Sequence, residues 1–198
     1  MDNQAQSYNE ETNFPIEEGG LYYLTFLSID IAGSSNIVKS YSPDLVSDVL
    51  YGFKNYVKEK VEKFGGFIWE WEGDGGTAIF TSRDTSNSVS CGIEIILYLV
   101  LFNNLISPLP ENINIRVGIN SSEQVFYADE KKMDMTAKII ADDIQKQAAK
   151  GNNLVLASNV YERLNKKIKK HFRKLFFEKL GLDLYMFEKQ KAVDFEYM

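Results

Sequence analysis

The feature that most constrains the fold is a long apolar run that ends in an aspartate. Leu21–Ile31, with the sequence LYYLTFLSIDI, is rich in Leu, Tyr, Phe and Ile and carries Asp30 near its end. Such a run is typical of a central strand that is covered on both faces. The small residues Ala-Gly-Ser-Ser follow at 32–35. We therefore predict a strand that delivers one carboxylate to a turn whose backbone N–H groups can approach an anion.

A second aspartate lies in a comparable context. The stretch 65–80, GGFIWEWEGDGGTAIF, places Asp74 among glycines after a segment with period-two alternation. The alternation predicts a strand with Trp69 and Trp71 on one face and Glu70 on the other, and Gly-Asp-Gly-Gly predicts the turn of a β-hairpin. Carboxylate oxygens are the ligands that Mg²⁺ and Mn²⁺ prefer. Two such strands side by side could hold a metal-bound nucleotide.

The rest of the chain alternates helical and extended patterns. We predict helices that begin at Pro43, at 84–87, near Met133 and at Ser158, and strands at 113–119, 125–127, 154–157, 175–179 and 184–188. Helices between strands, together with hairpins, indicate an α/β sandwich with a mixed central sheet and helices packed on one face. We expect residues 20–198 to form one domain and the polar residues 1–19 to form a mobile tail.

Charge and cysteine content exclude several classes of protein. The net charge of -6 argues against general binding to nucleic acid, so a phosphate site must supply its own positive charge. A single cysteine, Cys91, rules out a disulfide framework and indicates a core residue in a reducing compartment. The most apolar stretch, Ile93–Phe102, is too short to cross a bilayer and contains Glu94. We therefore expect a cytoplasmic protein without a membrane span.

Four motifs together resemble the class III nucleotidyl cyclases, the family of adenylate and guanylate cyclases. Residues 26–34 resemble the first metal strand and turn of that family, and residues 65–80 resemble its glycine pair and Gly-Asp hairpin. The sequence RVGIN within 115–120 is similar to its Arg-x-Gly-Ile strand, and residues 148–158 are similar to the end of its third helix and the strand that follows. The order and spacing of the motifs carry the resemblance, which implies the ferredoxin-like class III cyclase fold.

The resemblance also implies a site and an assembly. It implies a head-to-tail homodimer with active sites at the interface, where Asp30, Asp74 and the backbone carbonyl of Ile31 hold two Mg²⁺ or Mn²⁺ ions. These ions would activate the ribose 3′-hydroxyl and neutralise the departing pyrophosphate. The backbone N–H groups expected to bind the β- and γ-phosphates belong to Ala32, Gly33, Ser34 and Ser35.

Two features depart from the family pattern. Glu70 takes the place of the lysine with which adenylate cyclases read adenine, and a carboxylate suits a base with a ring N–H, so it argues against ATP. A solvated strand residue is the alternative interpretation of Glu70. Anchored on Ala148, the positions of the family's asparagine and arginine on the third helix hold Ile139 and Asp143. Candidate replacements are Lys146 as the catalytic cation and Asp134 or Asp143 as contacts to the base or ribose.

Size and the Gly-Asp-Gly-Gly hairpin are similar to those of the short bacterial cyclases of the Pycsar anti-phage system. Together with Glu70, this similarity favours a pyrimidine cyclase, with UTP ahead of CTP as substrate. The resulting hypothesis is conversion of UTP to cyclic UMP as an anti-phage second messenger. The alternatives left open are a guanylate cyclase, a chain that supplies the metal half to another partner, and a degenerate domain that dimerises and binds nucleotide without turnover.

Overall fold

The computed structural model describes residues 15–189. The strands within these residues are β1 (Leu21–Ile31), β2 (Phe67–Glu72), β3 (Gly75–Phe80), β4 (Ile115–Val125), β5 (Asn153–Ala157), β6 (Phe172–Phe177) and β7 (Leu182–Phe187). The α-helices are α1 (Ser34–Ser40), α2 (Pro43–Lys63), α3 (Ser86–Leu101), α4 (Thr136–Asp143), α5 (Ser158–Glu162) and α6 (Lys166–Lys169). Two of them continue as π-helical turns, α3 over Phe102–Ile106 and α4 over Ile144–Ala148.

The described strands form one mixed sheet with β1 near its middle. Its order is β2-β3-β1-β4-β5-β7-β6, and only the β4–β5 pair is parallel. β1 pairs along its length with β4 and over its second half with β3, and it is almost wholly buried. The prediction of a central strand at Leu21–Ile31 is therefore confirmed, as are the α/β architecture and the mixed sheet.

Helices cover both faces of the sheet. On one face, alternate residues of β1 such as Leu27 and Ile29 pack in a large core with α2 and α3. On the other face, Leu24 and Phe26 pack in a second core with Ala137 of α4. The prediction that the helices lie on one face is wrong in this respect, because the short α4 was not expected to form a separate layer.

A glycine on β4 allows α4 and its π-helical turn to approach the sheet closely. A Cβ atom at Gly118 would lie 2.3 Å from the carbonyl oxygen of Ala141 and 2.5 Å from the backbone nitrogen of Gln145. Any larger residue would therefore push the helix away from the strand. This close contact sets the distance between α4 and the sheet.

A β-bulge in β2 changes the face on which its later residues lie. The register with β3 shifts just before Glu70. As a result Trp69 packs edge-on against Phe26, whereas Trp71 packs against Phe53 on the opposite face. The prediction that both tryptophans share one face is wrong, since simple alternation ignores a bulge. The consequence for function is that Glu70 faces α4.

The helix predicted to begin at 84–87 is present as α3 and its π-helical turn, over 86–106. By length and composition alone this whole segment of 21 residues, with a window of mean hydropathy 1.9, could cross a bilayer, a property that buried core helices share. One side of it packs on the sheet as a core helix, with Ile95, Ile96 and Phe102 buried. Cys91 lies on this side, where burial raises the pKa of its thiol to about 12. It is a core residue, as predicted.

Several element boundaries differ from the predictions. The polar residues Asn120–Glu123 continue β4 as one strand opposite β1 instead of forming a turn. The helix predicted from Ser158 is divided into the short α5 and α6, whereas the terminal hairpin around Gly181 is present as β6 and β7. Residues 1–14 of the predicted tail lie outside the described residues. At its end, the N–H of Gly19 donates to the carbonyl of Phe126 at 2.9 Å.

Candidate active site

Two rows of cross-strand neighbours form the floor of a cleft between the sheet and α4. The row nearer the hairpin tip consists of Glu72, Gly75, Asp30 and Arg116, and the row behind it of Glu70, Thr77, Ser28 and Gly118. Successive rows are two residues apart, so their side chains lie on the same face of the sheet. The cleft has a volume of about 720 Å³ and is lined on its other side by α4 and the π-helical turn.

The two aspartates predicted from the sequence line the same end of this cleft. Asp30 is the cross-strand partner of Gly75, the residue that follows Asp74. The N–H of Ile31 donates to the backbone carbonyl of Asp74 at 3.1 Å, which fastens the hairpin tip to the end of β1. Asp74 lines the cleft together with Asp30, and it also borders a neighbouring depression lined by Ser34 and Ser35.

Arg116 holds the carboxylate of Asp30 in a bidentate ion pair. Its Nε donates to Oδ1 at 3.0 Å and its Nη2 to Oδ2 at 2.6 Å. The two side chains are 28% and 20% exposed, so water screens the pair only in part. The hydrogen bond with Asp30, with a further contribution from Asp74, raises the pKa of Arg116. This contact was not predicted, although Arg116 opens the RVGIN motif and shares a strand face with Gly118.

Glu70 lies in the cleft at one end of an ion-pair network. The ammonium of Lys138 lies 2.5 Å from Glu70 Oε1 and 3.1 Å from Asp142 Oδ2. The Thr77 hydroxyl also donates to Glu70 Oε1, at 3.1 Å. Burial would raise the pKa of Glu70, but bonds from Lys138, Glu130 and Thr77 outweigh it and hold that pKa below its usual value. Glu70 is therefore an ion-paired residue of the cleft, although its side chain remains 31% exposed.

The face of the third helix that lines the cleft is not the one that the family spacing indicated. Lys138, Asp142, Gln145 and Lys146 line the cleft. Ile139 is 54% exposed, and Asp143 accepts a hydrogen bond from Gln147 at 3.0 Å, away from the cleft. The signal that could have identified this face is the Lys-Asp pair at i and i+4, one residue before the expected positions.

Of the other candidates on this segment, the structure brings one into the cleft. Lys146 lines it. Asp134 lies in a separate depression, where its carboxylate accepts from the N–H of Thr136 at 2.9 Å. The side chain of Thr136, followed by this N–H, lowers the pKa of Asp134. Asp134 therefore serves the start of α4 rather than the cleft.

Comparison of the chain with curated proteins identifies a bacterial relative. No protein-family model matches the chain. A protein of Escherichia coli named cytidylate cyclase is 31% identical, over 72% of this chain and 35% of the relative. The chain thus spans about a third of the length of that relative.

Solved structures show the same fold over almost the whole chain. The guanylyl cyclase Cya2 is 21% identical with a TM-score of 0.72, covering 86% of this chain and 93% of its own. A dimeric guanylyl cyclase domain from Blastocladiella emersonii is 17% identical with a TM-score of 0.70, covering 87% and 97%. A guanylate cyclase domain from Catenaria anguillulae in complex with GTP is 17% identical with a TM-score of 0.68, covering 84% and 96%. The chain belongs to the class III nucleotidyl cyclases.

The donor set of this class III cyclase domain fits a hard divalent cation carried by a substrate. Among the described residues, no group of three or more Asp, Glu, His or Cys side chains could hold a metal ion. Asp30 and Asp74 supply two carboxylates, and the oxygens of Asp30 that accept from Arg116 keep a second lone pair each. Water and phosphate oxygens would complete the octahedral shell that Mg²⁺ requires. The residues therefore fit an ion that arrives with a triphosphate.

Only some of the backbone N–H groups in the turn at 32–35 are free to bind phosphate. The N–H of Ala32 donates to the carbonyl of Asn114 at 2.7 Å, so its predicted role as a phosphate donor is wrong. Gly33, with φ of 77°, precedes α1, and Ser34 and Ser35 open the first turn of that helix. The N–H groups of a first helical turn have no partner within the helix, so these three residues keep their predicted role as candidates.

The pairing of Glu70 with Lys138 makes a charge swap informative. The Glu70→Lys variant is expected to lose ~1–3 kcal/mol in free energy of unfolding, because it sets two ammonium groups against each other in a half-buried place. Adding Lys138→Glu should restore only part of this loss, because it reverses the pair with residue 70 but sets a carboxylate against Asp142. Urea unfolding of the wild type, both single variants and the double variant measures the coupling energy. If the double variant lost as much free energy of unfolding as the two single variants together, the pairing would be contradicted.

Proposed function

We propose that this chain is the catalytic domain of a metal-dependent pyrimidine nucleotide cyclase. It converts a pyrimidine nucleoside triphosphate into its 3′,5′-cyclic monophosphate and pyrophosphate. The observation that carries this proposal is one cleft with Asp30 and Asp74 at one end and the Glu70–Lys138 pair on its floor and wall. The likeness to a protein named cytidylate cyclase supports the class of base.

The residues at the tip end of the cleft have separate roles in this proposal. Asp30, Asp74 and the carbonyl of Ile31 hold two Mg²⁺ or Mn²⁺ ions. When bound, such ions lower the pKa of the ribose 3′-hydroxyl and neutralise charge on the triphosphate. Arg116 keeps the Asp30 carboxylate in one orientation. Lys146, which lines the cleft, is the proposed cation for charge that develops on the α-phosphate, in place of the arginine of the family.

Glu70 and Lys138 offer an acceptor and a donor side by side to the base. Uracil presents N3–H beside a carbonyl oxygen, and cytosine presents its amino group beside N3, so the pair complements the Watson–Crick edge of either pyrimidine. Considered alone, Glu70 favoured UTP, because an isolated carboxylate can only accept hydrogen bonds and uracil has a ring N–H to donate. With Lys138 bonded to it, that argument no longer separates UTP from CTP. We therefore propose CTP ahead of UTP, a choice supported by the likeness to a protein named cytidylate cyclase.

The assembly and the biological role are also proposals. We propose a homodimer with active sites at the interface, supported by the dimeric state of a guanylyl cyclase domain of the same fold. A cytoplasmic location and a role of the cyclic nucleotide in anti-phage defence are supported by the resemblance to Pycsar cyclases. Infection of bacteria that carry the wild type or the Asp74→Asn variant tests the role. Equal phage titres in the two strains would contradict it.

Product analysis tests the proposed activity directly. The purified chain is incubated with ATP, GTP, CTP and UTP in separate reactions with Mn²⁺, and products are identified by mass spectrometry. Cyclic CMP or cyclic UMP with an equal amount of pyrophosphate is expected. Cyclic GMP as the main product would support the guanylate cyclase alternative. No cyclic product from any of the four, with nucleotide still bound, would instead support a degenerate nucleotide-binding domain.

A further inference from the structure

Gln145 carries a buried amide without a hydrogen-bond partner in the described part of the chain. The residue is 2% exposed, and its Nε2 makes no hydrogen bond there. Buried side-chain amides in folded proteins are nearly always satisfied, because an unpaired donor loses its bonds to water and gains nothing in return. An amide that stays unpaired at a cleft therefore indicates a ligand that accepts from it.

The position of Gln145 supports this interpretation. Gln145 is one of the residues that line the cleft containing Asp30, and its backbone lies directly over Gly118. Gly118 is the cross-strand partner of Ser28 and lies two residues beyond Arg116 on β4. Two residues of extended strand span about 7 Å, so Gln145 lies one row behind the Asp30–Arg116 ion pair. A substrate whose phosphates reach Asp30 would extend over this row.

The groups around Gln145 are already engaged with one another. Asp142, one helical turn before it, pairs with Lys138, and Lys138 pairs in turn with Glu70. Asp30 accepts both of its bonds from Arg116. A neutral donor in this place can bind a hydroxyl, carbonyl or phosphate oxygen without disturbing these pairs.

We propose that Gln145 is a substrate-binding residue whose Nε2 donates a hydrogen bond to an oxygen of the nucleotide in the cleft. The identity of the ligand as a nucleoside triphosphate rests on the proposed function. The binding role itself rests on the unpaired amide and on its place in the cleft.

The test uses a variant that removes the amide while keeping the shape of the side chain. Gln145→Met is expected to raise the melting temperature of the free protein by about 2–4 °C, because it replaces an unpaired polar group with an apolar one. It should also lower kcat/KM by about 10-fold or more and reduce the stabilisation by α,β-methylene-CTP with Mn²⁺. If Gln145 had a purely structural role, Gln145→Met would lower the melting temperature and leave the stabilisation by nucleotide unchanged.

A matched control exists on the other face of the sheet. Thr25 is fully buried and its hydroxyl is also without a partner among the described residues, but it is not among the residues that line the cleft. Thr25→Val is expected to raise the melting temperature without changing kcat/KM or the response to nucleotide. Comparing Thr25→Val with Gln145→Met separates two effects. Removal of an unpaired buried group should raise the melting temperature in both variants, whereas loss of a ligand contact should appear only in Gln145→Met.

Two further probes show which part of the nucleotide Gln145 contacts. If the contact is to phosphate, Gln145→Met should weaken binding of inorganic pyrophosphate; if it is to ribose or base, it should weaken binding of cytidine 5′-monophosphate. Unchanged binding of both probes and of α,β-methylene-CTP would overturn the inference while leaving wild-type cyclisation intact. Weaker binding in the variant, with no cyclic product from the wild type, would support the inference and contradict the proposed function.

Discussion

Asp74→Asn is expected to abolish cyclisation and leave the fold unchanged. Removing one of the two carboxylates proposed to hold the cations should lower kcat by at least about 10²–10³-fold, because the charge that develops in the transition state then loses much of its stabilisation. The amide has nearly the same shape as the carboxylate. The measurement is cyclic product per unit time with CTP and UTP, together with the melting temperature.

Asp74 is a cleaner position for this test than Asp30. Its structural role is played by the backbone carbonyl, which accepts from the N–H of Ile31 in any variant. Its side chain makes no ion pair with another described residue. Asp30, by contrast, is bonded twice to Arg116, so its replacement would leave a half-buried guanidinium without its partner. A loss of activity in an Asp30 variant could therefore come from lost metal binding or from the disturbed contact with Arg116.

The matched control for this prediction is Asp183→Asn. Asp183 pairs with Lys174 at the far edge of the sheet, and both side chains are largely exposed. This variant should keep wild-type turnover. Wild-type activity in Asp74→Asn, or an equal loss in both variants, would contradict the assignment of Asp74 to the metal site.

The strands that carry the two aspartates were predictable because their signals are local. A long apolar run can only be a buried strand or helix, and the Gly/Ser turn after Asp30 decides for a strand. Likewise, glycines on both sides of Asp74 predict a tight turn wherever the two strands lie. The order of these motifs along the chain was enough to identify the cyclase fold, which the structure and the comparisons confirm.

The pairing of charges in the cleft was not predictable because it depends on the assembled sheet. The bulge in β2 places Glu70 on the face of α4, and simple alternation gives no sign of it. The pairing with Lys138 then follows only when α4 lies against the sheet at the height that Gly118 permits. The Arg116–Asp30 pair likewise requires β4 to lie next to β1 in one register.

This register also explains how an arginine on one strand can hold a carboxylate on the neighbouring strand. Asp30 and Arg116 are directly opposite each other on antiparallel strands, where Cβ atoms lie close enough for long side chains to meet. The guanidinium fork fits both oxygens of the carboxylate, so it fixes the direction of the remaining lone pairs. We therefore treat Arg116 as a positioning residue for Asp30.

Replacing Arg116 by Met is accordingly expected to impair both stability and turnover. We expect a loss of ~1–3 kcal/mol in free energy of unfolding, because the half-buried Asp30 carboxylate loses its partner, and a fall in kcat/KM of about 10²-fold. Arg116→Lys should keep more of the free energy of unfolding than of kcat/KM, because an ammonium restores the positive charge but not the bidentate contact with Asp30. Urea unfolding and steady-state kinetics measure the two effects separately.

The matched control is a second arginine pair of similar length in a different environment. Arg83 lies 2.6 Å from Glu123, but these side chains are 74% and 47% exposed. Because water screens such a pair, Arg83→Met should change the free energy of unfolding by less than about 1 kcal/mol and leave turnover intact. If Arg83→Met were as damaging as Arg116→Met, general loss of surface charge would explain both. If Arg116→Lys kept full kcat/KM, a point charge beside Asp30 would suffice and the positioning role of the guanidinium would be wrong.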